Sequence, residues 1–165
     1  MTEVTRKGLL SAGAAGVAGM AIAAPADAHD RDDDGIVGSW FLTITADDPQ
    51  LGSFNGLISF HVGGVVTEAR RYYIPATPLG SLLETSGHGA WKNDRRGVTA
   101  FWRFMLQQAP PSAGAPLGTD NVRINVRLER GGQRFTGRFE STIRDNSGAV
   151  VFTATGDIAG ERIVA

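Results

Sequence analysis

The chain predicts an all-β domain: an eight-stranded antiparallel up-and-down barrel. Three observations carry that expectation. From Ile36 onward apolar and polar residues alternate in run after run, with almost no helical spacing. The runs are bounded by Gly, Asn, Asp or Pro, residues that end strands and form hairpins. The hairpins so defined put large apolar side chains on one shared face.

In chain order the first element is an address. Arg6-Lys7 opens a basic region, Gly8–Ala24 is a mild Ala/Gly-rich apolar run, and Ala26-Asp27-Ala28 supplies small residues at −3 and −1. This is the pattern of a secretory signal over residues 1–28, cleaved before His29, which leaves no stable membrane span. Thr5-Arg6-Lys7-Gly8-Leu9-Leu10 resembles the twin-arginine export motif, with Lys7 in place of the second arginine. The expected location is therefore outside the cytoplasm, as a secreted or envelope protein exported by that route.

Residues 29–35 are an acidic tail. Asp30, Asp32, Asp34 and Gly35 match the start of a calcium loop, but the twelfth position is Phe41 where a bidentate Glu is required. The tail is read as solvated, and the domain as residues 36–165.

Eight strands are expected over Ile36–Thr45, Leu57–Val62, Val65–Ile74, Gly89–Lys92, Val98–Gln107, Val122–Arg130, Arg134–Asp145 and Ala149–Ile158, with a helical turn possible only in Leu79–Thr85 and the last few residues. Gly131-Gly132 makes a two-residue hairpin loop, since both positions tolerate positive φ. It pairs Leu128 with Phe135, Val126 with Gly137, Ile124 with Phe139 and Val122 with Ser141, and sets Arg123 against Glu140 on the other face. A turn at Asn146-Ser147 pairs Ile143 with Val150 and Ser141 with Phe152. A two-residue loop at Gly63-Gly64 pairs Ile58 with Ala69, Phe60 with Thr67 and Val62 with Val65. An open sheet would leave two edges unpaired, and closure into a barrel removes them.

Composition narrows the function. The 165 residues are 42% hydrophobic and 20% charged, with a formal net charge of −1, which argues against a nucleic-acid partner. There is no cysteine, so thiol chemistry, Cys-ligated metals and disulfides are excluded. No nucleophile elbow, P-loop or dinucleotide fingerprint occurs, no cofactor is implied, and His29, His61 and His88 do not form a metal-ligand pattern.

Gly38-Ser39-Trp40 opens the first strand and Gly160-Glu161-Arg162-Ile163 closes the last. This resembles the lipocalin/calycin pattern, in which G-x-W begins the barrel and a late Arg packs across the Trp at the closed end; the resemblance implies that role for Trp40 and Arg162. His88-Gly89-Ala90-Trp91 resembles an element of small exported bacterial calycin-like proteins. The lipocalin disulfide is absent, and Pro75–Gly87 is not the usual lipocalin lid. In size, strand number and lack of a catalytic motif the chain is also similar to allene-oxide-cyclase and dirigent barrels.

The register at Gly63-Gly64 sends Arg71 and Tyr73 inward at the end of their strand, beside a loop spanning Pro75–Gly87. With Trp102 on a neighbouring inward face and His88 and Trp91 after the loop, these residues make the expected ligand-binding mouth. The expected ligand is a small lipophilic molecule with a polar or anionic group, held by Arg71, with Glu68 and Glu84 as rival partners for that arginine. Tyr73, Arg71 and His88 are also the candidate catalytic groups if the barrel is a cofactor-free cyclase or isomerase. Phe101 and Met105 point outward, and either a second copy in a homodimer or the segment Gln108–Asp120 would cover them.

Overall fold

A computed structural model of the protein describes residues 35–70, 73–77, 80–94, 97–108 and 116–164. The expected signal and all of the acidic tail but Gly35 lie outside these residues. Ten strands form among the described residues: β1 (Gly38–Ala46), β2 (Ser53–His61), β3 (Val65–Arg70), β4 (Tyr73–Thr77), β5 (Gly80–Glu84), β6 (Gly87–Asp94), β7 (Gly97–Gln108), β8 (Gly118–Leu128), β9 (Arg134–Asp145) and β10 (Val150–Arg162). Eight of them close an antiparallel barrel in the order β1-β2-β3-β6-β7-β8-β9-β10, with β10 returning to β1. The eight-stranded up-and-down barrel expected from the sequence is the fold.

The two extra strands come from one hairpin. β4 and β5 prolong β3 and β6, and β5 pairs with the end of β7 through Leu82 with Gln108 and Glu84 with Leu106. The Pro75–Gly87 segment is thus largely strand, neither a loop nor a helical turn: Leu82 and Glu84 are buried on one face, and the ladder to β7 satisfies the backbone. Between β5 and β6 the register on β7 shifts by one residue. Thr85 bridges the shift; its amide donates to the Met105 carbonyl and its hydroxyl accepts from the Met105 amide, both at 3.1 Å. A side chain here replaces a ladder carbonyl, as at a β-bulge.

The three expected hairpins fare differently. At Gly131-Gly132 the register is as read, including Leu128 with Phe135, Ile124 with Phe139 and Arg123 with Glu140. The next turn is longer, because Asp145 Oδ1 accepts from the Ser147 amide at 2.8 Å and the Ala149 amide at 3.0 Å. With a bulge between Val150 and Phe152, Ile143 meets Phe152 in place of Val150, and Ser141 meets Ala154 in place of Phe152.

The first hairpin differs by a single residue, and that matters most. Its loop is Val62-Gly63-Gly64, three residues, closed by the His61–Val65 pair, with φ of 86° at Gly63 and 82° at Gly64. Ile58 therefore faces Glu68 and Phe60 faces Val66; the expected pairs with Ala69, Thr67 and Val65 do not form. A one-residue slip turns every side chain of the strand over. Val66 and Glu68 are buried while Val65 and Ala69 are exposed.

One end of the barrel is closed by aromatic packing. Trp40 is fully buried, its ring 5.0 Å from Phe135, and Phe60 lies edge-on to both Phe135 and Trp91 at 6.3 and 5.9 Å. The Arg162 guanidinium sits 4.2 Å from the Trp40 ring centroid. Its Nε donates to the Gly132 carbonyl and its Nη1 to the Val37 carbonyl, each at 2.8 Å. Cation–π attraction and saturated donors together fix the arginine. Gly38 has φ of 135°, and a Cβ there would lie 2.6 Å from Arg162 Nη1, which explains the glycine two residues before Trp40. Gly160 leaves room inside for Phe135 in the same way.

Candidate functional site

Of the residues expected at the mouth, the described ones place His88 outside the barrel and Trp91 at the closed end. Arg71 lies outside the described residues. Tyr73 begins β4, with its backbone paired to Leu83, and its side chain lies outside the described part. His88 is exposed on the outer face, in a row that runs from Thr67 through His88 to Arg103. Trp91 is inward but at the closed end, where it packs on Phe60 and its Nε1 donates to the His61 carbonyl at 3.0 Å. Trp102 is inward and buried, as read, in mid-barrel. Phe101 and Met105 are exposed on the outer face.

Toward the other end the barrel holds charge. The inward positions that follow Val66 on β3 are Glu68 and Arg70. β5 contributes Glu84, two residues after buried Leu82, and β8 contributes Asp120, two residues before buried Val122. Arg70 donates from Nε to Glu84 Oε2 at 2.8 Å and from Nη2 to Glu84 Oε1 at 2.9 Å, and it also bonds Asp120. Its guanidinium lies 4.2 Å from the Phe104 ring centroid. Asp120 accepts a second bond, from the Ser141 hydroxyl at 2.6 Å. Trp102 Nε1 donates to Glu68 Oε2, and Glu68 Oε1, though buried, has no donor among the described residues.

Three carboxyls thus surround one largely buried guanidinium. Burial pushes Glu68 up to about 7, against the opposing pull of the Arg70 charge and the Trp102 bond. Burial likewise pushes Glu84 up to about 7, again opposed chiefly by Arg70. Burial acts to lower Arg70, but Glu68, Glu84 and Asp120 together hold it above the ordinary arginine value. Such a cluster can hold and exchange protons near neutral pH and can accept hydrogen bonds.

The cluster is reached from the side. Among the described residues no ladder pair joins Ala69 or Arg70 to Thr85 or Ser86, since β3–β6 pairing stops at Glu68 with Gly87 and β4–β5 pairing begins at Tyr73 with Leu83. A cleft of about 480 Å³ opens there, lined by Ala69, Arg70, Leu83, Glu84, Thr85, Ser86 and Gln107. Among the described residues no cluster of His, Cys, Asp and Glu has metal-binding geometry.

The sequence reading put Glu68 and Glu84 beside an arginine of this strand but chose its neighbour. Arg70 occupies the inward position because of the three-residue loop. Asp120 was missed, although extending the inward parity of Val122 and Ile124 back along β8 reaches it.

No protein-family model matches the chain, and no curated protein matches it. A solved structure with a similar chain trace is a redesigned β-barrel, at 17% identity and a TM-score of 0.44, covering 82% of this chain and 98% of that one.

Proposed function

We propose that this chain is an exported barrel that binds a small, largely apolar molecule bearing one polar group, taken in through the lateral cleft rather than along the barrel axis. The observation that carries the reading is the lateral cleft beside Ala69 and Arg70, where about 480 Å³ of space meets the Arg70–Glu84 pair. That volume is within the range of small-molecule sites, and Ala69 and Leu83 give the cleft apolar wall. Axial entry from that end is blocked, because Trp40, Phe60, Phe135 and Trp91 fill it. The resemblance to calycin barrels, whose members hold lipophilic ligands, supports the same class.

The test is native mass spectrometry on protein purified gently from its own host, with Ala69→Phe as the comparison. Ala69 is exposed at the cleft, so the larger side chain fills the cleft without entering the core. A co-purifying small molecule that the variant loses supports the cleft. A ligand retained by the variant, or none at all in the wild type, overturns it.

One observation favours a second reading. Two carboxyls poised near pH 7 suit proton transfer, the chemistry expected of a cofactor-free cyclase or isomerase resembling the allene-oxide-cyclase type. A ligand that leaves chemically altered, with the change lost in Glu84→Gln, would select it.

A further inference from the structure

We infer that the outer face of β7, β8 and β9 rests on an anionic lipid surface, with its arginines on the phosphates and Phe101 and Met105 in the interfacial layer. The inference is independent of the cleft, which opens beside β3 and β5.

Strand register sets the composition of this face. Phe101, Arg103 and Met105 are successive outward positions in the middle of β7, an apolar–cation–apolar series whose inward neighbours Trp102 and Phe104 are buried. Arg123 lies directly across from Phe101, and Thr119 directly across from Met105. On β9, Glu140 pairs with Arg123 and Arg144 with Thr119. Strands lie about 4.8 Å apart and rise about 3.3 Å per residue, so these side chains share one patch about 13 Å long. Phe101 is 45% and Met105 54% exposed, two large apolar groups left in water beside charge.

The charge on the patch is unbalanced. Arg103, Arg123 and Arg144 are exposed, and among the described residues none of them forms an ion pair, although Glu140 stands opposite Arg123. Three cations against one carboxylate leave an excess of two positive charges, on a chain whose formal net charge is −1. Asn121 donates to the Thr119 hydroxyl and the Thr142 carbonyl, each at 3.2 Å, and accepts from Arg103 Nε at 2.6 Å. That contact fixes the arginine and leaves both its Nη nitrogens without a partner among the described residues. On the far side of the barrel the outward arginines are neutralised: Arg134 bonds Glu161, and Arg138 bonds Asp47 and Asp157.

These features select the occupant. A second copy docked by a two-fold axis would set the same cations against each other. Head-to-tail docking would meet carboxylates that Arg134 and Arg138 already hold. A soluble polyanion satisfies the arginines but leaves Phe101 and Met105 in water. An anionic bilayer meets both needs, because phosphate oxygens accept from guanidiniums while apolar groups enter the boundary between head groups and acyl chains.

Co-sedimentation of the protein purified from its own host tests this, with vesicles of phosphatidylcholine alone or with about one-third phosphatidylglycerol. Binding should need the anionic lipid and weaken as salt rises. An arginine near such a surface is worth about fivefold in affinity, so Arg123→Gln with Arg144→Gln should weaken binding about 30-fold. Phe101→Ser should weaken it about tenfold, as lost burial of an aromatic ring implies. All three positions are exposed, so circular dichroism should be unchanged. If the double arginine variant fails to fold, the lipid and salt dependence and Phe101→Ser decide. Equal binding to both vesicle compositions, binding unchanged by the arginine substitutions, or binding to neither overturns the inference. Retention on heparin without vesicle binding also overturns it, in favour of a soluble polyanion, as does anionic-vesicle binding indifferent to Phe101→Ser.

Discussion

Replacing Arg70 by Met removes the one cation that the described residues place in a cluster of three carboxyls, while keeping much of the side chain's length. The wild-type residue makes two bonds to Glu84 at 2.8 and 2.9 Å, a third to Asp120, and a face contact with Phe104 at 4.2 Å. Breaking a buried pair by deleting one partner costs about 3–5 kcal/mol, because the remaining charge is stranded. The loss depends on pH, and its sign follows from the carboxyl shifts. Glu68 and Glu84 sit near 7 in the folded chain against an ordinary 4.5, so above pH 4.5 the unfolded chain sheds protons that the folded chain keeps. Wild-type stability therefore falls as pH rises toward 7 and then levels. In Arg70→Met the guanidinium no longer opposes burial, both carboxyls move higher still, and the fall continues to higher pH. At pH 5 Glu68 and Glu84 are protonated in both proteins and the difference becomes smaller, by about 1–2 kcal/mol or more. Urea denaturation followed by tryptophan fluorescence at pH 5 and pH 8 measures both values. A loss under 1 kcal/mol at pH 8, or the same loss at both pH values, would refute the reasoning.

Trp40→Ala should cost about 3–5 kcal/mol, since it empties the closed end between Phe135 and the Arg162 guanidinium; an unchanged urea midpoint would show that this end is not held by the tryptophan. Gly160→Ala would put a Cβ 2.3 Å from the Phe135 ring, and overpacking of this kind should cost about 1–3 kcal/mol, seen as a lowered Tm by calorimetry. We further expect the mature protein to begin at His29 outside the cytoplasm, which intact-mass analysis of protein from the native host checks. Changing Arg6 and Lys7 together to Gln should block export, and a processed, exported double variant would count against the twin-arginine route.

The alternation of Val98–Leu106, Val122–Val126 and Phe135–Phe139 by itself determined which faces meet in the core, and Gly131-Gly132 marked the turn that sets the β8–β9 register. The packing of Arg162 on Trp40 was legible only through the resemblance of Gly38-Ser39-Trp40 and the late arginine to the calycin pattern. The candidate site was not legible. Val65 and Val66 are both apolar and Arg70 and Arg71 are identical, so pattern alone could not say which of each pair faces inward. The length of the Val62-Gly63-Gly64 loop decided it, and that was settled by fitting Val66 and Glu68 beside Phe60 and Ile58. Likewise Glu84 and Asp120 are distant in sequence from Arg70, and only closing the barrel, with β5 laid against the end of β7, sets their carboxyls around one guanidinium. Local alternation encodes a strand's two faces; which charged groups share the interior is decided by register and closure, where burial makes each charge depend on its neighbours.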